Sequence, residues 1–161
     1  MHNDFKELFG FLNAEEVRYL VVGGYAVSLH AEPRATKDLD ILVDPAGDNA
    51  IALFRALAAF GAPLEGMNPG SFTEPGAFFR MGVPPAMVDI LPNIAGVDFN
   101  QAWARRVSAV VDPQTNLHAH FISAADLMEG KLASGRAQDL ADAEALRAAG
   151  LAEPKEQPKK P

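Results

Sequence analysis

The stretch Tyr19-Leu20-Val21-Val22-Gly23-Gly24 constrains this chain more than any other. Four apolar residues in a row suit a strand buried on both faces, and the glycine pair that follows suits a tight turn. The residues from Ala26 to His30 then read as a short helix. A fully buried strand running through a turn into a helix needs strands beside it and helices over it. A chain of 161 residues, 48% of them hydrophobic, has the length and the apolar content for one such domain.

The rest of the sequence supplies these partners. Phe5, Leu8, Phe9 and Leu12 form an i, i+3, i+4, i+7 stripe, so a first helix is predicted, capped by Asn3. Lys37 to Val43 alternates and then becomes wholly apolar, as a strand entering a core does. Asp44-Pro45 ends it, and Asp48 or Asn49 is a candidate cap for a helix running through Phe60. Seven glycines and prolines break up residues 61–76 into loops. Phe78 to Val83 and Met87 to Leu91 read as strands joined at Pro84-Pro85, and Phe99 to Arg106 as a short helix. Val107 to Val111 and Leu117 to Ile122 are two further strands. Ser123 caps a helix from Ala124 to Ala133, and Ser134-Gly135 separates it from a last helix, Arg136 to Ala149, stopped at Gly150. Interleaved strands and helices favour an α/β or α+β sheet with flanking helices. The domain is expected to span residues 1–151, followed by a disordered Pro- and Lys-rich tail over 152–161.

Composition narrows the chemistry. With no cysteine, disulfides, thiolate catalysis and Cys-ligated zinc are excluded. The N-terminus lacks a basic region followed by an apolar stretch, and no apolar run approaches a membrane span, so a soluble cytoplasmic protein is expected, with no membrane partner. The net charge of −7 argues against bulk nucleic-acid binding, which needs clustered cations.

Three aspartates carry the strongest chemical signal. Asp38 and Asp40 lie i, i+2 on the second strand, on one face, with Leu39 and Ile41 on the other. Two carboxylates on one face repel each other unless they are exposed or share a cation, and hard cations such as Mg²⁺ prefer such oxygen ligands. Asp89 stands alone in the apolar run Met87-Val88-Asp89-Ile90-Leu91, where an unpaired charge is costly. The plain alternative for Asp89 is an ion pair with Arg80 on an adjoining strand. If its strand instead adjoins that of Asp38 and Asp40, at a spacing of roughly 4.8 Å, the three carboxylates suit two metals about 3.5–4 Å apart, the geometry of in-line phosphoryl or nucleotidyl transfer. Gly23-Gly24, at a helix N-terminus, would let a phosphate approach backbone N–H groups, and Arg34, Thr36 and Lys37 could bind further phosphate oxygens. An EF-hand over Asp38–Asp44 fails, because the sixth-position glycine and the terminal glutamate are missing. His118 and His120 lack a third ligand nearby and read as core or surface residues, like Trp103.

A glycine pair, a spacer, Asp-x-Asp on a strand and a later strand aspartate resemble the nucleotidyltransferase superfamily of DNA-polymerase-β-like fold. The chain is most similar to small bacterial nucleotidyltransferase-like proteins related to abortive-infection toxins and minimal nucleotidyltransferases. The stretch from Ser123 to Asp142 adds to the resemblance, which covers about residues 17–147. It implies a central mixed β-sheet flanked by helices, with C-terminal helices completing the site. It also implies that Gly23 and Gly24 form the nucleotide-phosphate turn, that Asp38, Asp40 and Asp89 are metal ligands, and that Asp89 can serve as base. Lys131 matches a lysine near the triphosphate and Asp139 the acid that supports it, with Arg136 and Asp142 as further matches. Many active members carry serine after the first glycine, where Gly24 stands here.

The expected activity is Mg²⁺-dependent transfer of a nucleoside monophosphate, from ATP or another NTP, to a hydroxyl of a protein, a tRNA or a small molecule. Two Mg²⁺ sites are expected, with Mn²⁺ as a substitute. By analogy the setting is a toxin–antitoxin one. A chain this short leaves little room for a separate acceptor domain, so the acceptor pocket is expected to come from residues 61–85, from a dimer mate or from a partner protein. The alternative is an inactive nucleotide-binding or partner-binding module of the same fold.

Overall fold

A computed structural model describes residues 1–150. Leu151 and the segment 152–161, read above as a tail, lie outside the described residues. Six strands form one mixed sheet: β1 (Tyr19–Val22), β2 (Asp38–Val43), β3 (Phe79–Val83), β4 (Ala86–Leu91), β5 (Val107–Asp112) and β6 (Leu117–Phe121). They lie in the order β3-β4-β2-β1-β6-β5. β1 pairs antiparallel with β2 and parallel with β6, while β2 pairs parallel with β4. Among the described residues, six α-helices accompany the sheet: α1 (Asn3–Ala14), α2 (Gly23–His30), α3 (Gly47–Phe60), α4 (Phe99–Ala104), α5 (Ala124–Ser134) and α6 (Ala137–Ala148). A 3₁₀ turn at Pro69–Phe72 is the one regular piece among the described residues of the loop region 61–76.

All four residues of β1 are buried, as a strand covered on both faces requires. α1 packs with α3, and α2 packs with α5 and α6. The predicted stripe of α1 is fully inside: Phe5, Leu8, Phe9 and Leu12 are each at most 1% exposed. Phe9 stacks on Tyr19, with ring centroids 5.8 Å apart, so the helix seats on the buried strand.

Two caps differ from expectation. His2, one residue before Asn3, caps α1, its Nδ1 accepting the Asp4 N–H at 3.1 Å. α3 begins at Gly47 after Ala46, with no side-chain cap. Asn49 lies within α3, buried, and serves the sheet. Its Oδ1 accepts the Arg18 N–H at 2.8 Å, and its Nδ2 donates to the carbonyls of Arg18 and Asp44 at 3.1 and 2.9 Å. One amide thus ties α3 to the start of β1 and the end of β2, and a buried backbone that needs partners takes priority over the helix end. Ser123 does cap α5, accepting the Asp126 N–H at 3.1 Å. His120 sits between the rings of Tyr19 and Trp103, at 5.4 and 5.0 Å, and is a packing residue. Among the described residues, no helix is long and apolar enough to cross a membrane.

Candidate active site

The register of the sheet brings the aspartates together. Asp40 on β2 is the direct partner of Asp89 on β4, and of Val22, the last residue of β1, on its other side. Gly23 follows Val22 and opens α2 with φ +64. That value alone favours glycine. A β-carbon there would also fall against the carboxylate of Asp40, 2.9 Å from its Cγ. The turn is therefore glycine because the carboxylate lies against it.

Gly24 is glycine for a different reason. A β-carbon at this position would lie 2.6 Å from Thr36 Oγ1 and 3.1 Å from a terminal nitrogen of Arg34. The space that a serine side chain would take is filled by two side chains from the segment before β2. Arg34, Thr36, Asp38 and Asp40 recur at every second residue and are all partly buried, whereas Lys37, in the opposite phase, is exposed. α2 has no side-chain cap, so its first backbone N–H groups remain free of a capping side chain.

These residues border a cavity of about 580 Å³. Gly23, Gly24, Arg34, Asp40 and Asp89 line it on the sheet side. Leu127, Gly130, Lys131 and Ser134, spaced i, i+3, i+4, i+7 along α5, line it from the helix side. Arg136 and Asp139 border it as well, whereas Thr36, Lys37 and Asp38 do not. Phe78, Leu91 and Ile94 give it an apolar wall that the sequence alone did not mark as part of the site.

Lys131 is held in place from behind. Its Nζ lies 2.9 Å from Asp142 and 3.3 Å from Asp139. Both carboxylates are buried, at 2% exposure. Asp142 also pairs with Arg34 Nε at 2.9 Å and accepts from Gln138 at 3.0 Å. Asp139 accepts from Arg136 Nε at 2.7 Å. Burial alone would raise these two carboxyls. For Asp139 the bonds from Arg136, Ser134 and Lys131 outweigh it, and for Asp142 those from Lys131, Gln138 and Arg34 do, so both are held below the ordinary range. Both are thus anions, and two cations, Lys131 and Arg34, are anchored at the cavity edge by one shared aspartate.

Asp40 is the opposite case. Burial, together with the negative charges of Asp89 and Asp38, lifts its carboxyl to about 6, against the opposing pull of Lys131 and Arg80. Asp89 is raised as well, chiefly by burial. Arg80, which the sequence suggested only as a partner for Asp89, does more than that. It lies opposite Asp89 in the β3–β4 register, with Nε 2.9 Å from Asp89 Oδ1 and a terminal nitrogen 2.6 Å from Asp38 Oδ2. The signal for this was one arginine within the apolar run Phe78 to Val83. Among the described residues, no three Asp, Glu or His side chains stand close enough to hold a metal as they are placed. Asp38 and Asp89 are drawn to the guanidinium instead.

The donor set still suits a hard cation. It is all oxygen, and Asp89 Oδ1 is buried without a hydrogen-bond donor in line with it, so that only the charge of Arg80 compensates it. Two carboxylates on adjacent parallel strands, a glycine turn at a helix start and an anchored lysine thus border one cavity.

No curated protein matches the sequence. A family model described as "Nucleotidyltransferase of unknown function (DUF6036)" matches residues 2–151, nearly the whole chain. This chain therefore belongs to that nucleotidyltransferase family.

Proposed function

We propose that this protein transfers a nucleoside monophosphate from an NTP, ATP being the first candidate, to a hydroxyl acceptor. The observation that supports this reading best is the facing of Asp40 and Asp89 across β2 and β4, beside Gly23 and opposite Lys131. Asp38, Asp40 and Asp89 would hold Mg²⁺, or Mn²⁺ in its place. Bound there, such ions supply Lewis-acid stabilisation of the phosphoryl oxygens and lower the pKa of an attacking hydroxyl.

The chain's own residues account for the remainder. Backbone N–H groups at Gly23 and Gly24 receive phosphate oxygens at the start of α2. Thr36 Oγ1 fills the space where a β-carbon of residue 24 would stand but does not border the cavity, so the turn offers backbone N–H groups and no side-chain hydroxyl. Lys131 and Arg136 meet the charge of the departing pyrophosphate. Asp89 takes the proton of the acceptor hydroxyl as the new O–Pα bond forms and the bond from Pα to the bridging oxygen of the β-phosphate breaks. The apolar wall of Phe78, Leu91 and Ile94 gives the nucleoside a place to lie.

The acceptor is a protein, a tRNA or a small molecule, and a toxin-like role fits the first two. A second reading, a module that binds nucleotide without turnover, draws on the missing hydroxyl at Gly24. Incubation with α-labelled NTPs and cell extract, with Mg²⁺ or with EDTA, separates the two. Label on an acceptor only with Mg²⁺ supports transfer. Retained nucleotide binding with no label in either arm supports the inactive module.

A further inference from the structure

We infer that Arg80 is the resident counter-cation of the metal-free carboxylate site, and that a divalent cation binds there by displacing it. The inference rests on the reading above, in which Asp38, Asp40 and Asp89 hold metal.

Asp38 and Asp40 on β2 and Asp89 on β4 are brought together by the sheet register, and three carboxylates so placed repel one another. The fold meets this with a cation from the neighbouring strand. Arg80 is placed opposite Asp89 by the β3–β4 pairing, and its side chain is long enough to reach past β4 to Asp38 on β2. One guanidinium therefore spans two strands and compensates two of the three aspartates, at 2.6 and 2.9 Å.

Two features make this a replaceable contact. The first is its geometry at Asp89. Nε is within ion-pair distance, yet Oδ1 remains buried without a directed hydrogen bond, so its charge is matched and its lone pairs are not. A hard cation that accepts oxygen donors from several directions serves that atom better. The second is access. β3 is the edge strand of the sheet and the Arg80 side chain is 49% exposed, so the guanidinium can leave without unpacking the core. A metal drawing on Asp38 and Asp89 competes with Arg80 for the same oxygens. It brings two charges where the guanidinium brings one.

The test uses the full chain, with Mn²⁺ alone as the probe and free Mn²⁺ read by its paramagnetic resonance. Each partly exposed ion pair is worth a factor of a few, so Arg80→Gln should bind Mn²⁺ about tenfold more tightly than the native protein. Its metal-free melting temperature should fall by several degrees, and saturating Mn²⁺ should erase that fall. An equal fall with and without Mn²⁺ marks a permanent structural ion pair and overturns the inference. So does an unchanged or weakened Mn²⁺ affinity. If Arg80→Gln folds only with metal, the inference stands, and if it folds under neither condition, the inference fails. Titration of native protein with Mg²⁺ gives an independent readout. The Arg80 Nε–H resonance should shift and exchange faster with water as Mg²⁺ binds, and a resonance that stays fixed through saturation contradicts displacement. The two readings fail differently. If Asp40→Asn abolishes Mn²⁺ binding while Arg80→Gln leaves it unchanged, the metal site stands and the role of Arg80 falls. If the native protein and Arg80→Gln both ignore millimolar Mn²⁺, the metal reading fails first and this inference with it.

Discussion

Asp40 sets the pH dependence expected of this site. Its carboxyl is lifted from an ordinary value of 3.8 to about 6 by burial and by its two acidic neighbours. Metal binding needs the anion, so Mn²⁺ affinity should rise as pH climbs through about 6 and be lost below it. The sign for folding is reversed. A carboxyl whose pKa is higher in the folded than in the unfolded chain disfavours the fold once it ionises. Asp40→Asn should therefore raise the metal-free melting temperature at about pH 8, with the gain shrinking toward about pH 4. Thermal melts of native and variant protein across that range check this. At position 24 the expectation is steric. A serine side chain there meets Thr36 and Arg34, so Gly24→Ser should cost about 1–3 kcal/mol of stability, measured by urea unfolding. Sequence reasoning noted the missing serine but not its cause, because residues 24 and 36 meet only after the chain has gone through α2 and back. Asp38 and Asp40 were legible, since strand alternation alone puts i and i+2 on one face. The second partner of Arg80 was not, since it lies two strands away.

At the level of elements, α5 and α6 act as one device. Their shared cluster holds Lys131 between Asp139 and Asp142 and ties it to Arg34 through the latter. Asp142→Ala removes the common anion and leaves two cations less well compensated. Breaking a buried pair of this kind costs about 3–5 kcal/mol. The loss should be visible in urea unfolding and should be accompanied by weaker nucleotide binding. Most elements were legible because their signals are local: the apolar stripe of α1, the run of β1, and Ser123 as a cap. The start of α3 was not. Asn49 has the chemistry of a cap, yet the backbone of Arg18 and Asp44 claims its amide instead, and that competitor is over thirty residues away in sequence for Arg18. Local propensity gave way to the hydrogen-bonding needs of buried strand ends.

For the whole molecule, the alternation of strands and helices indicated the class of fold, and the family resemblance indicated a mixed sheet. The order β3-β4-β2-β1-β6-β5 came only with the structure. That order matters for function because it sets β4 beside β2 and thereby Asp89 beside Asp40. The net charge of −7 sets few limits on a phosphate ligand. Arg34, Lys131 and Arg136 line the cavity beside Asp40, Asp89 and Asp139, and in the proposed function metal ions held by the acids would add further positive charge. Side-by-side transfer of α-labelled NTP to an acceptor in cell extract, by native protein and by Asp40→Asn with Mg²⁺ present, tests the proposed activity most directly. Label is expected on an acceptor with the native protein, with at least a hundredfold less (about 2.7 kcal/mol of lost transition-state stabilisation) with the variant. Equal labelling by the two proteins, or none from any of the four NTPs with the native protein, would contradict it.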